Sequence, residues 1–255
     1  MKNRAPKIFI LLFVATLFSS CSWLQYVPNG QNVPLFEEKG EVAVNLALSE
    51  GEQYFGLEMQ SAYSITNHIG IQVNGMVWGA IDYSQGSLFD IAPGYFFKVH
   101  EHIVFEVYGG YGRGKVYHVF GDEYKPFGAP FEPKTITYDR YFIQPGIGYT
   151  HKNIDFAFST RISMIDYYGH KPIYSVPDDE PLFFKLKQLD QFYTIDPAIT
   201  LRFGWRHFKF QLQSVYLIPI LDEHRVFSNE YPAFYDKWNI NVGIHFNFGG
   251  HFNPL

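Results

Sequence analysis

The chain has 255 residues, of which 47% are hydrophobic and 19% aromatic, including 26 Phe and 19 Tyr. That length suits one large all-β domain or two small ones, and the aromatic excess favours strands and surfaces that meet lipid headgroups. The formal net charge of −5 leaves no basic footprint, which excludes nucleic acid as an expected partner.

Residues 1–20 read as a signal peptide. Lys2, Arg4 and Lys7 form a positive start, and Ile8 to Phe18 form an apolar run too short to span a bilayer as a helix. Ser19 and Ser20 then precede Cys21, the single cysteine, so no disulfide can close within the chain. This arrangement resembles a bacterial lipoprotein signal, although Phe18 stands where Leu is usual. The resemblance implies lipid attachment at Cys21, which becomes the mature N-terminus. Ordinary cleavage near the serines, with an incidental cysteine, is the alternative. Residues 21–40, with Pro and Gly between Tyr26 and Gly40, are expected to form a lipid-anchored N-terminal linker.

From residue 41 to 248 the pattern is that of strands. "VAVNLALS" alternates apolar with small or polar residues, the period of a half-buried strand. Further runs follow at Gln53–Thr66, Ile69–Asp82, Ser87–Val99, Ile103–Val119, Tyr138–Thr150, Ile154–Tyr167, Gln191–Gly204, His207–Leu221 and Lys237–Phe248. They predict ten strands and no helix after the signal, with residues 249–255 as a C-terminal tail.

The connections alternate in length. "TNH", "HEH", "HKN" and "WRH" are tight turns, whereas Phe120–Thr137, Gly169–Asp190 and Asp222–Asp236 are long loops. Short turns at one end and long loops at the other are the pattern of a barrel with its turns in the periplasm. An even strand number brings both barrel ends to the periplasmic side, so the linker and Cys21 are expected at the inner leaflet.

The alternation also decides the solvent. In the last strand Trp238, Ile240, Val242, Ile244, Phe246 and Phe248 share one face, opposite Asn239, Asn241, Gly243, His245 and Asn247. A soluble lipid carrier would turn its apolar residues inward. Most runs also exceed the roughly 9–11 residues that cross a bilayer with tilt. The whole resembles the small Gram-negative outer-membrane β-barrels over about residues 41–248. The expected fold is therefore all-β, an antiparallel up-and-down transmembrane β-barrel of ten strands, in the bacterial outer membrane.

The face opposite the apolar one places Glu58, Asp90, Glu106, Asp155 and Asp196 in the lumen, together with Lys98, Arg140, Arg161, Arg202 and Lys209. Acids and bases are equal in number, and a barrel of this size is narrow enough for side chains to fill it. Unpaired charges there would be costly, so a charge-paired, plugged lumen is expected, with Gln60, Gln72, Asn74, Gln144, Gln211, Gln213 and Asn241 adding hydrogen bonds.

"EVYGGYGRGKVYHVF" (106–120) comes near a phosphate-binding loop, with Gly109, Gly114 and Lys115 at the right spacing but Val116 where Ser or Thr belongs. Such a loop must leave its N–H groups free at a helix start, and here they are committed to a strand. The glycines are expected to make room for bulky lumen neighbours. Arg113 and Lys115 fall at the outer headgroup level, where contact with lipopolysaccharide phosphates is expected.

Other chemistry is sparse. His118 with Asp122 and Glu123, or His170 with Asp166, could form acid–base pairs, but no Ser accompanies them in a nucleophile motif. His100 and His102 of "HEH", and the acidic Asp178, Asp179 and Glu180, are weak metal candidates. No enzyme activity, metal or cofactor is expected. The expected role is a structural or interaction component of the cell envelope, including as an accessory subunit of a larger outer-membrane complex. Its partners would be outer-membrane lipids, lipopolysaccharide and another envelope protein met through the long loops. The alternative is a narrow transport or ligand-binding barrel; an outer-membrane enzyme and a soluble lipocalin-like lipoprotein rank below it.

Overall fold

A computed structural model describes residues 24, 26–80, 84–118, 134–168, 191–220 and 235–249. Among them are eleven strand segments: β1 (Val42–Glu50), β2 (Tyr54–Ser64), β3 (Ile69–Ala80), β4 (Ser84–His100), β5 (Ile103–His118), β6 (Lys134–Thr150), β7 (Ile154–Tyr168), β8 (Gln191–Trp205), β9 (Phe208–Tyr216), β10 (Ile218–Ile220) and β11 (Trp238–Phe248). Consecutive strands pair antiparallel from β1 to β9, and β11 pairs with both β9 and β1, which closes the sheet. Both β9 and β10 follow one register against β8 and count as one wall strand, giving an antiparallel barrel of ten. The break between them lies across from Pro197 of β8, which has no N–H for the ladder.

Alternation along each strand sorts the solvent. Val242 is 58% exposed, Ile199 52% and Phe158 47%, all on the outside. Their lumen-facing neighbours Asn241, Thr200 and Ser159 are buried. An apolar exterior around a polar interior is the arrangement of a transmembrane barrel, and the reverse of a soluble carrier.

β6 begins at Lys134 and β4 at Ser84, several residues before the apolar alternation does. The β5–β6 ladder continues in register from Ile103↔Tyr149 to His118↔Lys134, so backbone pairing carries the wall past the apolar belt. Tight turns at 65–68, 101–102, 151–153 and 206–207 lie at the end where β1 starts and β11 stops. His151 N–H, for example, donates to Ile154 O at 2.9 Å. The long connections leave from the opposite end. Turn length assigns the first end to the periplasm and the second to the outside.

Candidate functional site: a chain segment in the lumen

The barrel is closed by its own chain. Residues 26–36, "YVPNGQNVPLF", run extended through the interior, every one of them buried, and Leu24 is buried with them. The expected linker over 21–40 is therefore corrected: its middle is a lumen thread. The thread has no strand partner along most of its length, so its backbone groups must be met by side chains.

The partners give its direction. At the loop end Leu24, Tyr26 and Val27 pack among Tyr54, Trp78, Tyr138, Tyr167 and Leu217. Tyr26 also bridges to Tyr235, and its carbonyl accepts from Asp236 N–H at 3.1 Å. Midway, Asn239 donates to Pro28 O at 2.9 Å, and Gly30 N–H donates to Glu58 Oε2 at 2.8 Å. Gln213 clasps Gln31, accepting from its N–H at 2.7 Å and donating to its carbonyl at 2.8 Å. The Asn32 carbonyl accepts from Gln144 at 2.7 Å and Gln72 at 3.1 Å, while its side chain donates to Asn74 Oδ1 at 2.9 Å. At the turn end Val33, Leu35 and Phe36 pack against Ala43, Ala62, Phe96 and Val104.

Sequence suits place along this path. The polar centre Asn29–Asn32 meets the polar middle of the lumen, and Val-Pro on one side and Val-Pro-Leu-Phe on the other meet its apolar ends. Both prolines sit where no N–H needs a partner. Gly30 is there because a Cβ would lie 2.7 Å from Glu58 Oε2 and 2.8 Å from Gln60 Nε2. Leu35 adopts φ 54°, a left-handed conformation that costs a non-glycine residue roughly 1 kcal/mol. Its N–H donates to Glu106 Oε2 at 3.0 Å, and its side chain fills the space left by Gly148.

Nine of the ten predicted lumen charges are buried: Glu58, Asp90, Glu106, Arg140, Asp155, Arg161, Asp196, Arg202 and Lys209. Lys98 is the exception. It lies at the periplasmic mouth, exposed, and bonds Glu37 at 2.8 Å. It belongs to the rim because it stands two residues from the end of β4, where the lumen opens into the mouth.

The buried charges pair with one another only in part. Arg140 pairs with Asp90, and Lys209 lies 2.6 Å from Asp155, with Arg202 4.0 Å away. Glu58, Glu106 and Arg161 instead bind the thread. Arg161 reaches Asn29 Oδ1 at 2.6 Å, Gly30 O at 3.3 Å and Gln144 Oε1 at 2.9 Å. Gln31 donates to the carbonyl of Asp196. The thread is thus the counterpart that several lumen charges would otherwise lack.

The glycines of 106–120 do leave room. A Cβ on Gly114 would fall 2.1 Å from the Tyr138 ring, and one on Gly110 2.5 Å from the Phe142 ring. Outside, Arg113 is held by Asp139 through two bonds, 2.8 and 3.2 Å, with its guanidinium over the Tyr168 ring. Its charge is therefore already met, whereas Lys115 is exposed beside it.

Below Leu35 the periplasmic mouth opens as a polar vestibule of about 510 Å³, lined among others by Glu37, Glu41, Lys98, His102, His151 and Lys209. Glu41, just before β1, is buried there. Burial first, then the Glu37 and Glu38 carboxylates, push its carboxyl up to about 7 against the opposing Glu37 N–H and Lys98. His102 and His151 approach to 5.3 Å, ring to ring, but among the described residues no three His, Cys, Asp or Glu side chains gather as metal ligands. The candidates Cys21, Asp122, Glu123, His170, Asp178, Asp179 and Glu180 lie outside the described residues, as does the His118 side chain.

The thread is what sequence reasoning misses. A polar stretch with two prolines and a glycine looks like a linker. The usable signal is its mirror pattern, V-P-N-G-Q-N-V-P, apolar at both ends and amide-rich between.

The chain matches no protein-family model, and no curated protein is similar to it in sequence. Solved structures similar to it are bacterial outer-membrane barrels. They include the outer-membrane protease OmpT from Escherichia coli, at 9% identity and TM-score 0.42, covering 86% of this chain and 99% of that one. The translocator domain of the autotransporter NalP from Neisseria meningitidis shows 10% identity and TM-score 0.43, with 86% and 90% covered. The N-terminal barrel domain of OprF from Pseudomonas aeruginosa shows 9% identity and TM-score 0.39, with 83% and 99% covered.

Proposed function

We propose that this chain is a non-conducting barrel of the bacterial outer membrane, acting as a structural or interaction component of the envelope. The observation that carries the reading is the thread: Asn29–Asn32 are hydrogen-bonded by side chains of β2, β3, β6, β7 and β9, which leaves the lumen occupied along its polar length. A transport role would require that whole set of bonds to break in each cycle. The reading assigns no catalytic residue and no cofactor. Folded protein in a planar bilayer is expected to show no steady conductance. A large, steady current from the unaltered protein would overturn it.

The same reading gives the outer rim to lipid. Since Asp139 answers the charge of Arg113, contact with lipopolysaccharide phosphate falls to Lys115. Lys115→Ala is expected to lower lipopolysaccharide co-purification more than Arg113→Ala does, and equal effects would remove the assignment. An accessory role in a larger complex rests on the long outer loops, since binding residues concentrate on loops held by a rigid scaffold. A native pull-down from gently solubilised membranes that recovers no specific companion would exclude it.

A further inference from the structure

We propose that the barrel presents its own N-terminal end on the outer face of the membrane. The inference rests on the plugged-barrel reading, but adds a direction to it. The thread enters β1 at the turn end, where Phe36 packs on Phe96 with ring centroids 5.5 Å apart. Moving toward the N-terminus, its partners climb the wall: Glu106 holds Leu35, Asn74 holds Asn32, and Arg140 and Arg161 hold Asn29. The climb ends at the loop end, where Tyr26 stacks edge-on against Tyr138 at 5.6 Å and is tied to Asp236 N–H.

Two features keep it there. The aromatic collar around Leu24 and Tyr26 is buried, so withdrawal would expose those side chains to water. The amide-rich centre finds partners at only one height, because sliding by one residue would replace Gly30 with Asn29 or Gln31, where a Cβ would fall 2.7 Å from Glu58 Oε2 and 2.8 Å from Gln60 Nε2.

Reach then fixes the side of the segment that precedes it. Three residues span at most about 11 Å when fully extended, while the apolar belt of such a barrel is about 25 Å tall. A chain that begins at Cys21 therefore cannot return to the inner leaflet from Leu24. An acyl group on Cys21, where the signal-like sequence expects one, would enter the outer leaflet. Without one, a free N-terminus is displayed beside the long loops.

Side-specific labelling tests this on the full-length protein in cells. Ser22→Cys places a thiol just before the collar, and Lys152→Cys places one in the exposed turn between β6 and β7. The probe is a polymer-coupled maleimide too large to pass porins. Ser22→Cys is expected to label as fully in intact cells as after permeabilisation, and Lys152→Cys to gain label over the unaltered protein only after it; label on an unmodified Cys21 reports the same side as Ser22→Cys. Ser22→Cys protected until permeabilisation or until unfolding would overturn the proposal, as would Lys152→Cys taking up more label in intact cells than the unaltered protein does. Heat-dependent electrophoretic mobility confirms that each variant is folded. A silent bilayer with a protected Ser22→Cys would refute the presentation and leave the plug, whereas steady current with an exposed Ser22→Cys would refute the plug alone.

Discussion

Arg161 donates to Asn29 Oδ1 at 2.6 Å, and Arg140 reaches the same oxygen at 2.7 Å, so one amide from the thread answers two buried guanidiniums from neighbouring strands. Arg140 has Asp90 as well, but Arg161 depends on Asn29, Gly30 and Gln144. Removing that amide would leave buried donors without an acceptor, which costs far more than the bond itself contributes. Asn29→Leu is expected to lower unfolding stability by about 3 kcal/mol. Urea unfolding of the refolded protein in detergent measures it, and a change below ~1 kcal/mol would mean that the two arginines find other partners.

Gly30 tests occupancy of the lumen directly. A phenylalanine ring has no room where a Cβ would already meet Glu58, Gln60 and Asn241 within 3.0 Å. Gly30→Phe is expected to displace the thread and produce frequent current steps across a planar bilayer from protein that still folds. Silence from this folded variant would show that wall side chains alone seal the barrel.

On the outside, Val242 lies midway along β11 and faces lipid. Val242→Arg puts a guanidinium near the bilayer midplane at a cost of roughly 2–4 kcal/mol. Unfolding in bilayers should show it, and a neutral effect would place that strand outside the apolar belt.

The mouth should respond to pH through Glu41. Its carboxyl is raised from 4.5 to about 7, so the folded state favours the protonated form. That contribution to stability is complete below about pH 4.5 and is lost as pH rises through about 7. The urea midpoint should therefore fall between pH 5 and pH 8, relative to Glu41→Gln, in which this component is absent. Glu37, Glu38 and Lys98 share the mouth, so the comparison with Glu41→Gln isolates the one group. Identical pH profiles for the two proteins would dismiss it.

The wall and its solvent follow from local alternation alone. Alternation through strands such as Trp238–Phe248 left one inside-out choice, because a one-residue slip would bring every apolar side chain into the lumen. Nine lumen charges were legible by the same parity. The content of the lumen, by contrast, depends on contacts between distant parts of the chain. Residues 26–36 carry no period, since an extended thread touches walls on all sides and needs no amphipathic face. Arg161 and Asn29 stand 132 positions apart, and nothing local couples them. Their meeting depends on closure of β1 on β11, which turns a stretch that looks like a tether into the plug of the barrel.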